Sequence, residues 1–297
     1  MLEKITQRIE SFISEIGNPR IKALSSRITS GKMLRSKLVL AICPNHPDVV
    51  DLCAIIEMIQ SASLLHDDVI DESYIRRGNP SVNAVFGNKN SIMLGDVFYS
   101  KAFFELTKMD NRIAKSISNA VVELSRGEID DVFMGEEFNT DKGKYFEMLQ
   151  DKTASLISAS AESAAILANL NHQKYKAYGS NLGVAFQIID DLLDVTQESM
   201  TLGKPSMNDF KEGKTTLPYI YLYEALPKDE KKILISYFKQ DKPEIRTWLK
   251  ERFEKYHIIS LVQSEAKRYA NLAISSIKDE NNKTLEEIVQ NMINREF

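Results

Sequence analysis

Two segments of the 297-residue chain concentrate side chains capable of ionic chemistry. The first reads Ser61-Ala-Ser-Leu-Leu-His-Asp67-Asp68-Val-Ile-Asp71-Glu-Ser-Tyr-Ile-Arg76-Arg77-Gly78, an apolar stretch that ends in a burst of carboxylates. On a helix, Asp67 and Asp71 share a face one turn apart, while Asp68 projects about 100° away. Two carboxylates on one face suit magnesium, a hard cation commonly held by one or two carboxylates together with substrate phosphates and water. A merely solvated acidic helix end explains the pattern less well, because negative charge is unfavourable near a helix C-terminus. The second segment, Phe186-Gln187-Ile-Ile-Asp190-Asp191-Leu-Leu-Asp194, repeats Asp-Asp-x-x-Asp after another apolar stretch. Two such helices packed antiparallel, or meeting at a bundle mouth, would gather carboxylates in a repulsive arrangement unless cations fill it.

Short cationic spots accompany these acids: Gly31-Lys32-Met33-Leu34-Arg35, Arg76-Arg77, Lys152-Thr153, Gly203-Lys204 and Lys214-Thr215. Arginine offers a planar fork to phosphate oxygens and lysine a compact charge, so cations beside magnesium carboxylates point to a diphosphate clamped from both sides. The net charge of -4 argues against a nucleic-acid partner held by general electrostatics, which needs clustered Lys and Arg over a wide surface. Anion recognition here must be local.

The elements that would position these residues are helical. Prolines fall at 19, 44, 47, 80, 205, 218, 227 and 243, leaving 81–204 free of the strongest helix breaker. Within that stretch Ile113, Ile117, Ala120, Val121 and Leu124 recur at helical spacing, and no strand-like alternation bounded by hairpin turns appears. The class is all-α, with no domain boundary and no flexible linker. From Pro227 onward sparse apolar stripes such as Ile233, Tyr237 and Phe238 run through Lys/Glu-rich sequence, the pattern of peripheral helices with one solvated face. The two cysteines, Cys43 and Cys53, are too few for a disulfide framework and fit a reducing, cytoplasmic setting. The N-terminus reads as an amphipathic helix and not as a signal peptide. No transmembrane segment is expected: the small-residue-rich 154–170 is broken by Glu162 and serines and reads as a closely packed core helix.

With these residues in view, the chain resembles the trans-prenyl diphosphate synthases of the long-chain polyprenyl type, octaprenyl or heptaprenyl, from about Gly31 to Pro218. The resemblance implies one polyprenyl synthase domain over 1–297, with 228–297 as peripheral C-terminal helices. It implies a single large helical bundle around a central cavity, the isoprenoid synthase type I fold. It further implies that Asp67 and Asp71, with Asp190 and Asp194, bind three Mg2+ ions that bridge an allylic diphosphate, Mn2+ being a substitute. Arg76 matches a contact to that diphosphate; Lys152, Thr153, Gln187, Lys204 and Lys214 match further contacts to it or to its metals. Lys32, Arg35 and Arg77 match the isopentenyl diphosphate pocket. Gln60 stands where many bacterial relatives carry His, and its amide can still donate a hydrogen bond. Asp67, Asp71, Asp190, Lys152 and Lys204 are the expected catalytic residues, and a homodimer is expected, with apolar helices such as 91–106 as one source of its interface.

The implied mechanism is ionisation followed by alkylation. Metal and basic residues stabilise the leaving diphosphate, the double bond of isopentenyl diphosphate attacks the allylic cation, and a proton is lost to pyrophosphate. No nucleophilic Ser or Cys is needed, and His66 reads as a packing residue. Ser63, one turn before Asp67, and Ala62 beside it place small side chains on the wall nearest the growing tail. In family members that give short products an aromatic often stands at one of these two places, so the resemblance implies a long product of about C40, made from a primer such as farnesyl diphosphate and suited to a quinone side chain, with Phe98 and Phe133 as candidates for a deeper plug. The alternatives are a shorter-chain farnesyl or geranylgeranyl synthase, and a noncatalytic regulatory subunit. Terpene cyclases generally lack the second intact aspartate motif, which this chain keeps.

Overall fold

The proline-free stretch does form long helices, as a computed structural model describing residues 1–28, 31–196 and 207–294 shows. In chain order the helices are α1 (Leu2–Glu15), α2 (Pro19–Ser25), α3 (Leu34–Ile42), α4 (Val49–Ile70), α5 (Val82–Phe86), α6 (Asn88–Leu106), α7 (Asn111–Met134) and α8 (Lys142–Leu149). A π-helical turn (Gln150–Ala154) joins α8 to α9 (Ser155–Leu167), and α10 (His172–Thr196) follows. The remainder comprises α11 (Asn208–Glu212), α12 (Leu217–Ala225), α13 (Lys228–Tyr237), α14 (Pro243–Lys255), α15 (Ile258–Ser276) and α16 (Lys283–Ile293). Strand pairing among the described residues is confined to a hairpin of β1 (Ile75–Arg76) and β2 (Asn79–Pro80). The all-α expectation is met. Two compact units are distinguishable: Met1–Val121 with Ala159–Lys176, and Val122–Ser158 with Ala177–Phe297.

In the first unit α4 is the central helix, packed by α1, α3 and α6. Leu52, Cys53, Ala54, Ile55, Ile56, Met58 and Ile59 are all buried, so the helix is covered almost all round and cannot be read from a single apolar stripe. It is also the one described helix long and apolar enough to cross a membrane, its best window having a mean hydropathy of 1.4. The stretch most like a membrane span is therefore α4 and not 154–170. More than half of that window, 56%, is buried inside the protein, the condition of a core helix. The expectation for 154–170 as a packed core helix holds: Ala154, Leu156, Ile157, Ala161, Ala164 and Ala165 are fully buried.

In the second unit the core gathers Ile188 and Leu192 of α10 with Phe210, Tyr219, Leu222, Leu249, Phe253 and Val262. The C-terminal helices each supply one stripe at helical spacing: Ile245, Leu249 and Phe253 on α14, Ile258, Val262 and Ala266 on α15, and Leu285, Val289 and Met292 on α16. On α13 the buried position is Leu234, not Ile233. The Tyr178 hydroxyl of α10 donates to the Leu285 carbonyl at 2.8 Å, tying α16 to the helix that carries the second aspartate motif.

Two glycines let helices close on the π-helical turn. A Cβ built on Gly127 of α7 would stand 2.4 Å from the Lys152 backbone nitrogen, and one on Gly183 of α10 would stand 2.5 Å from the Ala154 Cα. In both cases the obstacle is backbone, which cannot swing aside. The Arg126 guanidinium adds a bidentate brace to the Asp151 carboxylate, at 2.5 and 2.7 Å. The turn that presents Lys152 and Thr153 is thus held from two helices. Gly183→Ala should therefore cost about 1–3 kcal/mol by overpacking. Urea unfolding of the purified variant measures this, and an unchanged midpoint would contradict the close approach.

Candidate active site

The end of α4 carries the first aspartate motif, and the chain beyond it folds back through the hairpin. Ile75 pairs with Pro80 and Arg76 with Asn79, while the connecting Arg77 and Gly78 both have positive φ, 53° and 75°, as a type I′ turn requires. Folding back brings Arg76 onto the motif: its Nε donates to Asp68 Oδ1 at 2.6 Å and its Nη2 to Asp67 Oδ2 at 2.9 Å. The Asn83 amide donates to the Asp68 and Ser73 carbonyls at 3.0 and 3.1 Å, locking the return. Asp68 is buried, and that burial raises its carboxyl pKa against the lowering pull of Arg76. For Arg76, burial opposes the charge, but the two carboxylates outweigh it and raise its pKa. Asp71 caps the helix, and Asp67 and Asp71 both remain partly accessible while Asp68 turns inward. The helical division of roles read from spacing is the one observed.

The expected isopentenyl diphosphate residues belong to the same unit. The Arg77 guanidinium lies directly over Gly31, where a Cβ would come within 2.5 Å of its Nη2. Burial, and then the neighbouring Arg76, lower the Arg77 pKa. Burial pulls Arg35 down to about 10 against the opposing Glu57 carboxylate, and the buried Arg35 Nε has no hydrogen-bond partner. Glu57 itself accepts from the Ser36 hydroxyl at 2.7 Å. Lys32 is exposed and Gln60 half-buried, its carbonyl accepting from the Ser63 hydroxyl at 2.9 Å. Ser63 is partly accessible, whereas Ala62 is 0% exposed within the packed core. Of the two small wall residues, then, only Ser63 presents surface. His66 packs on α6, its Nε2 3.0 Å from the Ile92 carbonyl and closely against Gly95, the packing role expected.

In the second unit α10 displays the three aspartates differently. Asp190 is exposed, whereas Asp191 and Asp194 are buried. Asp191 accepts the Tyr145 hydroxyl at 2.5 Å and the Gln187 Nε2 at 2.8 Å, and the Gln187 Oε1 accepts the Thr153 hydroxyl at 2.9 Å. Burial, followed by the Asp209 charge, pushes the Asp191 pKa up to about 8. The Asp194 carboxylate accepts the backbone N–H groups of Asn208 and Asp209, at 3.3 and 3.2 Å, at the start of α11. It is a helix-end acceptor here, and each of its oxygens carries a further lone pair that suits the expected metal. Lys152 is aimed by Asp131 at 2.6 Å and Glu128 at 2.9 Å, and Lys214 lies 3.4 Å from Glu212. Lys204 falls outside the described residues. Phe98 is buried in the first unit, but Phe133 is 65% exposed and does not plug a core.

Several of these participants were not found from sequence. Glu57, Asn83 and Tyr145 lie in ordinary surroundings with no motif to mark them. Asp151 does adjoin Lys152, and Glu128 and Asp131 stand three residues apart on one face of α7, a weak signal. Among the described residues no three His, Cys, Asp or Glu side chains form a ready-made metal cage. The accessible Asp67 and Asp71 on α4, and separately Asp190 on α10, nevertheless offer hard oxygen donors of the kind that suits a divalent cation bound with water and phosphate.

Removing Arg76 tests the charge pairing at α4. Arg76→Ala leaves Asp68 buried without its partner and should cost about 2–4 kcal/mol near neutral pH. With the Asp68 pKa raised further, protonation relieves that cost, so the gap from the parent protein should narrow as pH falls. Urea unfolding at several pH values checks this, and a gap that widens in acid would contradict it.

The fold has close counterparts. Residues 18–255 match the family model described as polyprenyl synthetase. A short chain isoprenyl diphosphate synthase from Methanothermobacter thermautotrophicus is 32% identical, over 91% of this chain and 88% of its own length. The crystal structure of octaprenyl pyrophosphate synthase from Helicobacter pylori is 55% identical, with a TM-score of 0.95 over 99% of this chain and 98% of that one. A polyprenyl synthase from Caulobacter crescentus, complexed with calcium and isoprenyl diphosphate, is 25% identical, with a TM-score of 0.81 over 99% and 98% of the two chains. The chain is thus a member of the polyprenyl synthetase family.

Proposed function

We propose that the chain is a trans-prenyltransferase that condenses an allylic diphosphate, such as farnesyl diphosphate, with successive isopentenyl diphosphates, releasing a long-chain all-trans polyprenyl diphosphate of about C40 and pyrophosphate. The observation that carries this is the pair of aspartate motifs on helices that each keep accessible carboxylates, Asp67 and Asp71 with Arg76 anchored on the same motif, and Asp190 in the unit where Glu128 and Asp131 anchor Lys152. Asp67, Asp71, Asp190 and Asp194 would hold Mg2+, which when bound supplies positive charge to the leaving diphosphate. Asp194 also holds the start of α11 through two backbone N–H groups.

The remaining steps fall to the chain's own side chains. Arg76, fixed by Asp67 and Asp68, and Lys152, fixed by Glu128 and Asp131, are preorganised charges that need little reorganisation as negative charge develops. Arg35, Arg77 and Lys32 orient isopentenyl diphosphate; the unpartnered buried Nε of Arg35 is a donor suited to an anion. Ser63 leaves room for the tail, and the octaprenyl relative at 55% identity supports the long product. The short-chain relative keeps a shorter product as the second reading. Each unit is built from two separate stretches of chain, and α7, α9 and α10 contribute to both, which supports treating 1–297 as one working domain. We place the enzyme in the cytoplasm as a homodimer, the two buried free thiols fitting a reducing setting.

Two assays test this. Purified protein with farnesyl diphosphate, isopentenyl diphosphate and Mg2+ should extend to about C40, and products that stop at C15 or C20 would establish the shorter-chain reading. Ser63→Phe should shorten the product distribution. Asp67→Ala, Asp71→Ala and Asp190→Ala should each cut turnover by roughly 100-fold or more with helix content unchanged by circular dichroism; retained full activity would reject the assignment.

A further inference from the structure

We infer that Tyr145 is a positioning residue for prenyl transfer, its buried hydroxyl fixing, through Asp191 and Gln187, the direction in which Thr153 presents its own hydroxyl. The inference rests on the prenyl-transfer reading above. Tyr145 lies on α8, eight residues before Thr153, and is 1% exposed, so it acts through its neighbours. Its partner Asp191 turns inward while Asp190, one residue earlier, faces solvent.

The hydrogen-bond inventory sets the polarity of the chain of groups. One Asp191 oxygen accepts from Tyr145 and the other from Gln187, at 2.5 and 2.8 Å. While Asp191 is ionised both its oxygens accept, so the one facing Gln187 meets the amide nitrogen and turns the amide oxygen toward Thr153. A hydroxyl has one proton to give, and Thr153 gives it to that oxygen at 2.9 Å. What Thr153 retains is lone pairs. In that state its ligand is a donor: water ordered by a cation fits, and a bare phosphate oxygen does not. Of the two expected contacts for Thr153, to the diphosphate or to its metals, this order of donors favours the metals' water. Without the Tyr145 hydroxyl, one buried Asp191 oxygen loses its donor, and the carboxyl is free to rotate and release the Gln187 amide from its orientation.

Tyr145→Phe, Thr153→Val and the double variant form the test. Phenylalanine keeps the edge-on ring packing against Phe146, at 5.3 Å between centroids, so the change is confined to the hydroxyl. Tyr145→Phe should lower kcat about tenfold, a loss of the size produced by small misplacement of reacting groups, with KM for isopentenyl diphosphate unchanged. The double variant should be no slower than Thr153→Val alone, because both changes cut the same relay. Wild-type kcat in Tyr145→Phe, or losses that multiply in the double variant, would overturn the inference. If the parent protein shows no prenyl transfer, the functional reading fails separately. The same cycle is then measured in urea unfolding, where coupling between the two sites supports the relay and strict additivity overturns it.

Discussion

Carboxylates gathered on helix ends repel one another and lose water, and the structure depends on how that charge is compensated. Asp67 and Asp68 share Arg76, Asp151 takes Arg126, and Glu128 with Asp131 take Lys152. Each pairing ties together segments that are separated in sequence. The Asp68–Arg76 bond closes the hairpin onto α4, and the Asp151–Arg126 brace holds the π-helical turn to α7. Where chemistry is proposed, Asp67, Asp71 and Asp190 keep accessible surface while Asp68 and Asp191 turn inward.

Irregular backbone occurs where these charges are placed. A π-helical turn breaks the run from α8 to α9 at the residues that include Lys152 and Thr153, and a two-residue hairpin with two positive-φ residues sets Arg76 and Arg77. Both devices are fixed by close packing. Gly127 and Gly183 let two helices approach the π-helical turn to distances no Cβ would allow, and Gly31 receives the Arg77 guanidinium. Local distortion therefore costs little disorder in the side chains that matter, as preorganised electrostatics requires.

The helical class and both aspartate motifs were legible because they rest on short-range periodicity: four-residue spacing puts Asp67 and Asp71 on one face whatever the tertiary structure. What stayed hidden depends on contacts distant in sequence. Nothing in Asp-Asp-x-x-Asp tells that Asp194 accepts two backbone N–H groups from α11, or that Tyr145, 46 residues before Asp191, donates to it. Ala62 and Ser63 are neighbours of similar size, yet one is sealed in the core and the other presents surface, a difference set by the helices packed around α4. Phe133 was misleading because an aromatic residue on an apolar helix is usually buried, and here it faces outward. The apolarity of α4 was underread because its burial on nearly every side leaves no periodic stripe.

The central claim is that the open aspartates are completed by a divalent cation together with a diphosphate. A ligand that binds only the folded state raises its stability, so the melting temperature of the full-length protein reports on this directly. Melting should rise by several degrees when Mg2+ and inorganic pyrophosphate are present together, and much less with either alone. Equal stabilisation by pyrophosphate in the presence of EDTA, or no shift with the pair, would contradict the account.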